Sequence, residues 1–188
     1  MDAGYEYSDT LVILRPMQIP DRWLKISAGV LALALVGLIG DSMRERLVNV
    51  GDKAPNFAVT SSRGTQMTRA SFGGKLLVLN FWATWCPPCI AELPSLNQMA
   101  RTLGPKGVVV LGISVDQDKK AYDDFLRRFK LSFEVAHDPS ADIASEYGTF
   151  KYPETYVITP DGTVVEKFIA DRDWMEPALL KRLESHIR

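Results

Sequence analysis

The stretch Asn80-Phe-Trp-Ala-Thr-Trp-Cys-Pro-Pro-Cys89 contains both cysteines of the 188-residue chain, in the spacing C-x-x-C. The cysteines follow a nearly continuous apolar run, 75–81, which is typical of a buried central strand. A helix is predicted from Pro87, so the cysteines fall at a strand-to-helix turn. N–H groups at a helix N-terminus carry positive partial charge and stabilise a thiolate. We therefore predict that Cys86 faces solvent as the nucleophile, and that Cys89, one turn further in, resolves the mixed disulfide.

Other uses of two cysteines are open at this point. The simplest alternative is a buried pair of cysteines without a function. A zinc site would need further ligands, and the two histidines, His137 and His186, lie far apart in the sequence. A peroxide-reactive cysteine would be expected without so close a partner. Two thiolates with His137 as a third ligand suit copper(I). A copper(I) chaperone is therefore the alternative, and it requires His137 to approach the cysteines.

The overall composition is that of an ordinary globular protein. Apolar residues make up 46% and charged residues 24% of the chain, and the formal net charge is −1. This much apolar surface excludes disorder over most of the chain. There is no basic excess, so no nucleic-acid partner is expected. Two cysteines are too few for a disulfide-rich scaffold.

An uncharged segment, 26–40, lies near the N-terminus. With the three preceding residues it would span about 27 Å as a helix, close to the ~30 Å thickness of a bilayer core. Trp23 suits the membrane interface and Lys25 can snorkel. We predict an uncleaved transmembrane anchor over residues 23–43, preceded by a tail over residues 1–22. A cleaved signal peptide and a buried core helix are the alternatives.

Helical and strand patterns alternate in the domain that we expect over residues 51–188. Alternating strands and helices imply an α/β domain with a mostly parallel sheet and helices on both faces. The turn signal Pro160-Asp161-Gly162 predicts that the last two strands form an antiparallel hairpin. The predicted elements are a hairpin over 57–68, strands over 75–81, 108–115, 133–136, 155–159 and 163–168, and helices over 87–103, 119–129, 140–147 and 174–187, the last with Asp173 as N-cap.

The segment FWATWCPPC resembles the active-site segment of thioredoxin-fold proteins. The longer NFWATWCPPCIAELPSLN is similar to that of the membrane-anchored TlpA/ResA branch, which is related to the cytochrome c maturation thioredoxins. The resemblance covers residues 51–188. It implies a thioredoxin-like α/β fold with an N-terminal β-hairpin and a central helix–strand insertion, after a single N-terminal transmembrane helix. Pro94 matches the proline that kinks the first thioredoxin helix, and Pro153 matches the cis-proline that packs against the cysteines.

One position departs from ordinary thioredoxins, which have an aspartate below the active site where this chain has Asn80. An amide cannot accept a proton at neutral pH. Glu92 lies three residues after Cys89, on the same helical face, and the TlpA/ResA branch has a glutamate there. We predict that Glu92 is the catalytic base, with a pKa raised by burial against Trp82 or Trp85. The alternative is an exposed glutamate that complements the helix dipole.

The resemblance also implies a function and a location. It implies a thiol–disulfide oxidoreductase that reduces disulfides in exported proteins, such as apocytochrome c or the copper-site cysteines of an oxidase. Its electrons would come from a membrane thiol donor, with the Cys86–Cys89 disulfide in place of a cofactor. The enzyme would lie in the bacterial cytoplasmic membrane, with residues 1–22 in the cytoplasm and the redox domain in the periplasm or its equivalent. The predicted substrate-binding residues are Trp85, Pro87, Tyr152 and Pro153.

The two prolines between the cysteines bear on the direction of electron flow. Neither Pro87 nor Pro88 has an N–H group, so few donors are available to stabilise a Cys86 thiolate. A strong oxidant of this kind owes its potential to a stabilised reduced form. We therefore expect this site to be a reductant.

Overall fold

The computed structural model describes residues 21–42 and 47–187, and the chain divides into two compact units, residues 1–45 and 46–188. In the first unit, helix α1 comprises Asp21–Ser42, and many of its large apolar side chains, among them Leu31 and Leu33, are exposed. Within the described ranges, no helix is both long and apolar enough to cross a membrane. The predicted transmembrane anchor is therefore not confirmed. Of the predicted tail, residues 1–20 lie outside the described residues.

The second unit begins with a short antiparallel hairpin and continues with a five-stranded sheet. The hairpin was predicted, and it pairs β1 (Ala58–Thr60) with β2 (Gln66–Thr68). The sheet strands are β3 (Leu76–Trp82), β4 (Val108–Ser114), β5 (Glu134–His137), β6 (Glu154–Ile158) and β7 (Val164–Ile169). The helices are α2 (Pro87–Leu103), α3 (Lys119–Arg128), α4 (Asp142–Glu146) and α5 (Pro177–Ser185), with 3-10 turns at Arg69–Phe72 and Gly104–Lys106.

The strand order is β5-β4-β3-β6-β7. β4 runs parallel to both β3 and β5, but β6 runs antiparallel to both β3 and β7. The sheet is therefore mixed: of the five strands, β3, β4, β5 and β7 share one direction and β6 runs opposite to them, and the predicted closing hairpin is confirmed. The connection from β5 to β6 contains only the five-residue helix α4. So short a helix rises only about 8 Å and does not carry the chain back along the sheet, so β6 begins beside the end of β3.

Strand β3 lies in the middle of the sheet, and all seven of its residues are buried. Its position explains the continuous apolar run, because a central strand is covered on both faces. The exception is Asn80, which is opposite Gly112 in β4 and Thr155 in β6. The register therefore places one polar side chain inside the core. Helix α2 follows β3 directly and contains Pro94, as the resemblance implied.

The insertion and the last helix complete the unit. Helix α3 and strand β5 supply the helix and strand that the resemblance implied between β4 and Pro153. The last helix begins at Pro177 with Glu176 as N-cap, so the prediction of a start at Trp174 with Asp173 as N-cap is wrong. Asp173 instead closes a turn, because its Oδ1 accepts from the N–H of Met175 (2.9 Å). Trp174 points into the core rather than along an exposed helix, and it is fully buried.

Candidate active site

The two cysteines form a disulfide at the start of α2. Their sulfurs are 2.08 Å apart, and the separation of 5.3 Å between their Cα atoms is usual for a disulfide. Cys86 is the N-cap residue of the helix, and its Sγ accepts from the backbone N–H of Cys89 (3.3 Å). Pro87 and Pro88 occupy the first helical positions and have no N–H. The Cys89 N–H is therefore the first backbone donor of the helix that reaches the Cys86 sulfur.

Cys86 is more exposed than Cys89, as predicted, but it does not face solvent. Cys86 is 4% exposed and Cys89 is 0% exposed, so the predicted solvent-facing Cys86 is nearly covered in the oxidised state. The reason is that its sulfur points back towards the helix and bonds to Cys89. On either side of it, Trp85 and Pro87 are exposed.

The Tyr152–Pro153 peptide bond is cis, which confirms the prediction. The rings of Trp85 and Tyr152 form an edge-to-face contact with centroids 6.0 Å apart. This contact brings the residue before Cys86 to the residue before Pro153. Trp85 is 62% exposed. Phe150, three residues before Pro153, is a second exposed aromatic side chain, at 67%, and the sequence analysis did not single it out. The substrate-binding roles of Trp85, Pro87, Tyr152 and Pro153 stay predictions.

Glu92 is buried in the core, with 3% of its surface exposed, so the alternative of an exposed glutamate is wrong. Oε1 of Glu92 accepts from Nδ2 of Asn80 (2.9 Å), and Oε2 accepts from Nε1 of Trp174 (3.1 Å). Burial raises the pKa of Glu92 from its ordinary 4.5 to about 7, against the lowering effect of these hydrogen bonds and of Arg172. The predicted raised pKa and its cause are confirmed.

The tryptophan that contacts Glu92 differs from the two that were predicted. Trp82 packs against Tyr122 and Phe125 instead, and Trp85 is exposed. Trp174 comes from the loop between β7 and α5, 82 positions after Glu92. A contact over this distance leaves no local pattern in the sequence. The only signal was a large aromatic residue shortly before the helix start at Pro177.

Asn80 connects Glu92 to the sheet. Its Nδ2 donates to Glu92 and also to Oγ1 of Thr155 (2.9 Å) on β6. Its Oδ1 is buried and has no hydrogen-bond partner among the residues that the structure describes. Asn80 therefore acts on Glu92 as a donor and cannot take up a proton, in agreement with the prediction that the titrating group lies elsewhere.

A second buried acid, Asp116, fixes the loop before the cysteines, and sequence reasoning missed it. Its carboxylate accepts from the N–H of Thr84 (3.0 Å), from Oγ1 of Thr84 (2.5 Å) and from Oγ of Ser114 (2.5 Å). Asp116 is 1% exposed and lies two residues after the end of β4. An acidic residue just after a buried strand is the signal that could have identified it. Thr84 is two residues from Cys86, so Asp116 positions the active-site turn.

The ring of His137 contacts the loop after β4 and helix α3, and its interactions among the described residues include no contact with either cysteine. Its Nε2 lies 2.6 Å from the backbone oxygen of Asp116, and because a carbonyl only accepts, this nitrogen carries the proton. Its ring stacks on Tyr122, with centroids 4.6 Å apart. In the described part of the chain, no group of three or more His, Cys, Asp or Glu residues could hold a metal ion. The copper alternative therefore finds no support in this geometry.

The sequence profile of the AhpC/TSA family matches residues 50–167. The chain belongs to the AhpC/TSA family. The thiol-disulfide oxidoreductase ResA of Bacillus thuringiensis subsp. konkukian (strain 97-27) is 33% identical over 144 residues, which are 73% of this chain and 83% of the relative.

Solved structures agree with this assignment. A crystal structure from Chlorobium tepidum, described as thiol:disulfide interchange protein DsbE, is 31% identical with a TM-score of 0.65, and covers 74% of this chain and 96% of its own. StoA from Bacillus subtilis, at 20% identity and a TM-score of 0.60, covers 72% and 98% and shows the same fold. The resemblance to the ResA group is confirmed, and the protein is an enzyme, a thioredoxin-fold protein thiol–disulfide oxidoreductase.

Proposed function

We propose that this oxidoreductase reduces disulfides in exported proteins, with Glu92 as the acceptor of the Cys89 proton. The observation that carries the proposal is the buried Glu92 carboxyl, one helical turn beyond Cys89, with a pKa of about 7. A group with this pKa exists in both forms near neutral pH, which suits a general base. The substrate classes that fit are apocytochrome c and the copper-site cysteines of an oxidase, by similarity to the cytochrome c maturation thioredoxins.

The reaction has two exchange steps. The Cys86 thiolate attacks one sulfur of the substrate disulfide, and the other sulfur leaves as a thiolate and takes up a proton. Cys89 then gives its proton to Glu92 and attacks Sγ of Cys86. The Cys86–Cys89 bond forms, and the second substrate sulfur leaves as a thiolate that is protonated in turn. Two electrons pass to the substrate, and a dithiol of a membrane protein returns them.

The contacts of the turn support the reducing direction. Pro87 and Pro88 offer no N–H to the Cys86 sulfur, which leaves the Cys89 N–H as its donor from the first turn of α2. An ionised Glu92 next to the site opposes a second negative charge on a thiolate. Both features leave the reduced dithiol less stabilised, and a less stabilised dithiol is the better reductant.

The location is part of the proposal. Apolar side chains of α1, among them Trp23, Leu31 and Leu38, are exposed. Apolar surface of this extent requires cover, and a lipid bilayer supplies it. Attachment through residues 23–43 would hold residues 51–188 on the extracytoplasmic side. Alkaline carbonate extraction of membranes and labelling of Cys86 with a membrane-impermeant maleimide in intact cells test the attachment and the side.

Covalent trapping in the native host tests the function. Cys89→Ser removes the resolving thiol, so mixed disulfides between Cys86 and exported proteins should accumulate and should disappear on reduction. Cys86→Ser is the matched control and should trap none. Recovery of cytoplasmic proteins alone, or equal trapping by both variants, would contradict the proposal.

A further inference from the structure

The buried carboxylate of Glu92 is held from two sides by different parts of the chain. Asn80, from the sheet, reaches Oε1, and Trp174, from the loop between β7 and α5, reaches Oε2. The sheet contact ties Glu92 to β3, which precedes the cysteines. The Trp174 contact comes from the loop that precedes the last helix, 82 positions after Glu92.

The loop of residues 170–176 is fastened to the helix that carries Glu92. Oγ of Ser95 accepts from the backbone N–H of Trp174 (3.1 Å), and the same hydroxyl donates to the backbone oxygen of Glu92 (2.9 Å). Ser95 is three residues after Glu92 on α2. The serine therefore fixes the backbone of Trp174 relative to Glu92, so the indole approaches from a set direction.

The Trp174 side chain is also fixed by its surroundings. It is fully buried and makes an edge-to-face contact with Phe168 on β7, with ring centroids 5.6 Å apart. The guanidinium of Arg172 also lies over the Trp174 ring, 5.9 Å from its centroid. Full burial and these two contacts leave the indole little freedom to turn its N–H away from Glu92.

The chemistry of an indole makes this contact selective. Nε1 of tryptophan only donates, so it favours the ionised carboxylate over the protonated acid. From the geometry we infer that Trp174 is a positioning residue of the reaction, which orients Glu92 and sets the pH range in which Glu92 accepts the Cys89 proton. This inference rests on the proposed role of Glu92 as base.

The effect of Trp174 on the pKa of Glu92 can be separated from the effects of the other groups around this carboxyl. From β3 and β6 the neighbours are Asn80 and its partner Thr155, which carry no charge. From the loop, Arg172 lowers the pKa of Glu92 by its positive charge and by a backbone hydrogen bond. On α2 itself the cysteines do not titrate while they form the disulfide. A titration of the oxidised protein therefore reports on Glu92 with Asn80, Arg172 and Trp174 as its partners.

The first measurement uses the unaltered full chain in its oxidised form. The indole ¹H and ¹⁵N resonances of its four tryptophans are followed by NMR from pH 4 to pH 9. The Trp174 resonance should shift with a midpoint near pH 7, and this shift should vanish in Glu92→Gln. Trp85 is the internal control, because it is exposed and should not follow the same titration. A Trp174 resonance that does not titrate, or that titrates equally in Glu92→Gln, would overturn the inference.

The second measurement uses Trp174→Phe, which keeps an aromatic ring and loses the donor. The rate at which Cys89 attacks Cys86 rises with pH, and in this variant the rise should move to higher pH by about one pH unit, because the ionised carboxylate loses a hydrogen bond. Adding Trp174→Phe to Glu92→Gln should not change the pH profile of that rate any further. An unmoved rise in Trp174→Phe would overturn the inference while the role of Glu92 stands. If Glu92→Gln itself leaves the rate unchanged, the proposed function fails first and this inference with it.

Discussion

The side-chain amide of Asn80 donates a 2.9 Å hydrogen bond to the carboxylate of Glu92, and both side chains are buried in the core. One of these residues is fixed in the central strand and cannot ionise, whereas the other lies on the active-site helix and titrates near neutral pH. In the proposed mechanism, the pair divides between two side chains what a buried aspartate does alone in ordinary thioredoxins. Asn80 would position the carboxylate, and Glu92 would take up the proton.

Asn80→Asp should disturb this division. A second carboxyl at hydrogen-bond distance from Glu92 makes one of the two groups hold its proton more tightly, because two adjacent negative charges repel. We expect the pair to titrate with one apparent pKa well above 7, and the resolving step to slow at pH 7. Carboxyl ¹³C NMR of the oxidised protein measures the titration. Thr155→Val, which removes the other partner of Asn80 without adding charge, is the control and should change the titration little.

Glu92 should also make stability depend on pH. Its pKa is about 7 in the folded protein and near 4.5 in the unfolded chain, so the folded state binds the proton more tightly. Stability should therefore fall as the pH rises from 4.5 to 7, by about 3 kcal/mol for this group. Urea unfolding of the oxidised protein at pH 4 and pH 8 measures the difference between the parent and Glu92→Gln. A difference that is the same at both pH values would contradict the buried, titrating glutamate.

Asp116 should contribute to stability through the loop before the cysteines. In Asp116→Asn one carboxylate oxygen becomes an NH₂ donor that faces the donors of Thr84 and Ser114. We expect a loss of about 1–3 kcal/mol in the free energy of unfolding. Thr84→Val removes a single hydroxyl bond to Asp116 and should cost about 1 kcal/mol. Equal stability of Asp116→Asn and the parent would show that this carboxylate does not hold the loop.

Trp85 should matter for protein substrates more than for small ones. Its exposed ring is next to Cys86 and contacts Tyr152, so it offers apolar surface to a bound polypeptide. In Trp85→Ala we expect exchange with a disulfide-containing protein to weaken about tenfold. Exchange with a small aromatic disulfide should change far less, and this is the matched comparison within one variant. An equal loss with both substrates would assign Trp85 to the chemistry rather than to binding.

Much of the fold could be predicted because its signals are local. The apolar run of β3, the prolines at the start of α2 and the turn at Asp161 each act within a few residues, and these elements are where they were expected. Strand direction left no such signal, so the antiparallel entry of β6 was missed. The start of α5 was misplaced because the amphipathic pattern included Trp174, whose environment is a carboxylate from another helix.

The site divides in the same way. Cys86, Cys89 and Glu92 share one helix and could be found by their spacing, and the raised pKa of Glu92 followed from the prediction that it is buried. Trp174 and Asp116 contact residues that lie far from them in the sequence, so local spacing could not identify them. Pro153 was predicted to be cis only through the resemblance, since local sequence favours a trans bond.

The pH dependence of the resolving step tests the central claim most directly. A small aromatic disulfide is mixed with the reduced enzyme, and the release of the second aromatic thiolate reports the attack of Cys89 on Cys86. The account predicts a rate that rises through pH 7 in the parent, and a rate slower by about 10²–10⁴-fold in Glu92→Gln, without that rise. Identical rates and pH profiles in the two proteins would show that Glu92 does not take the Cys89 proton.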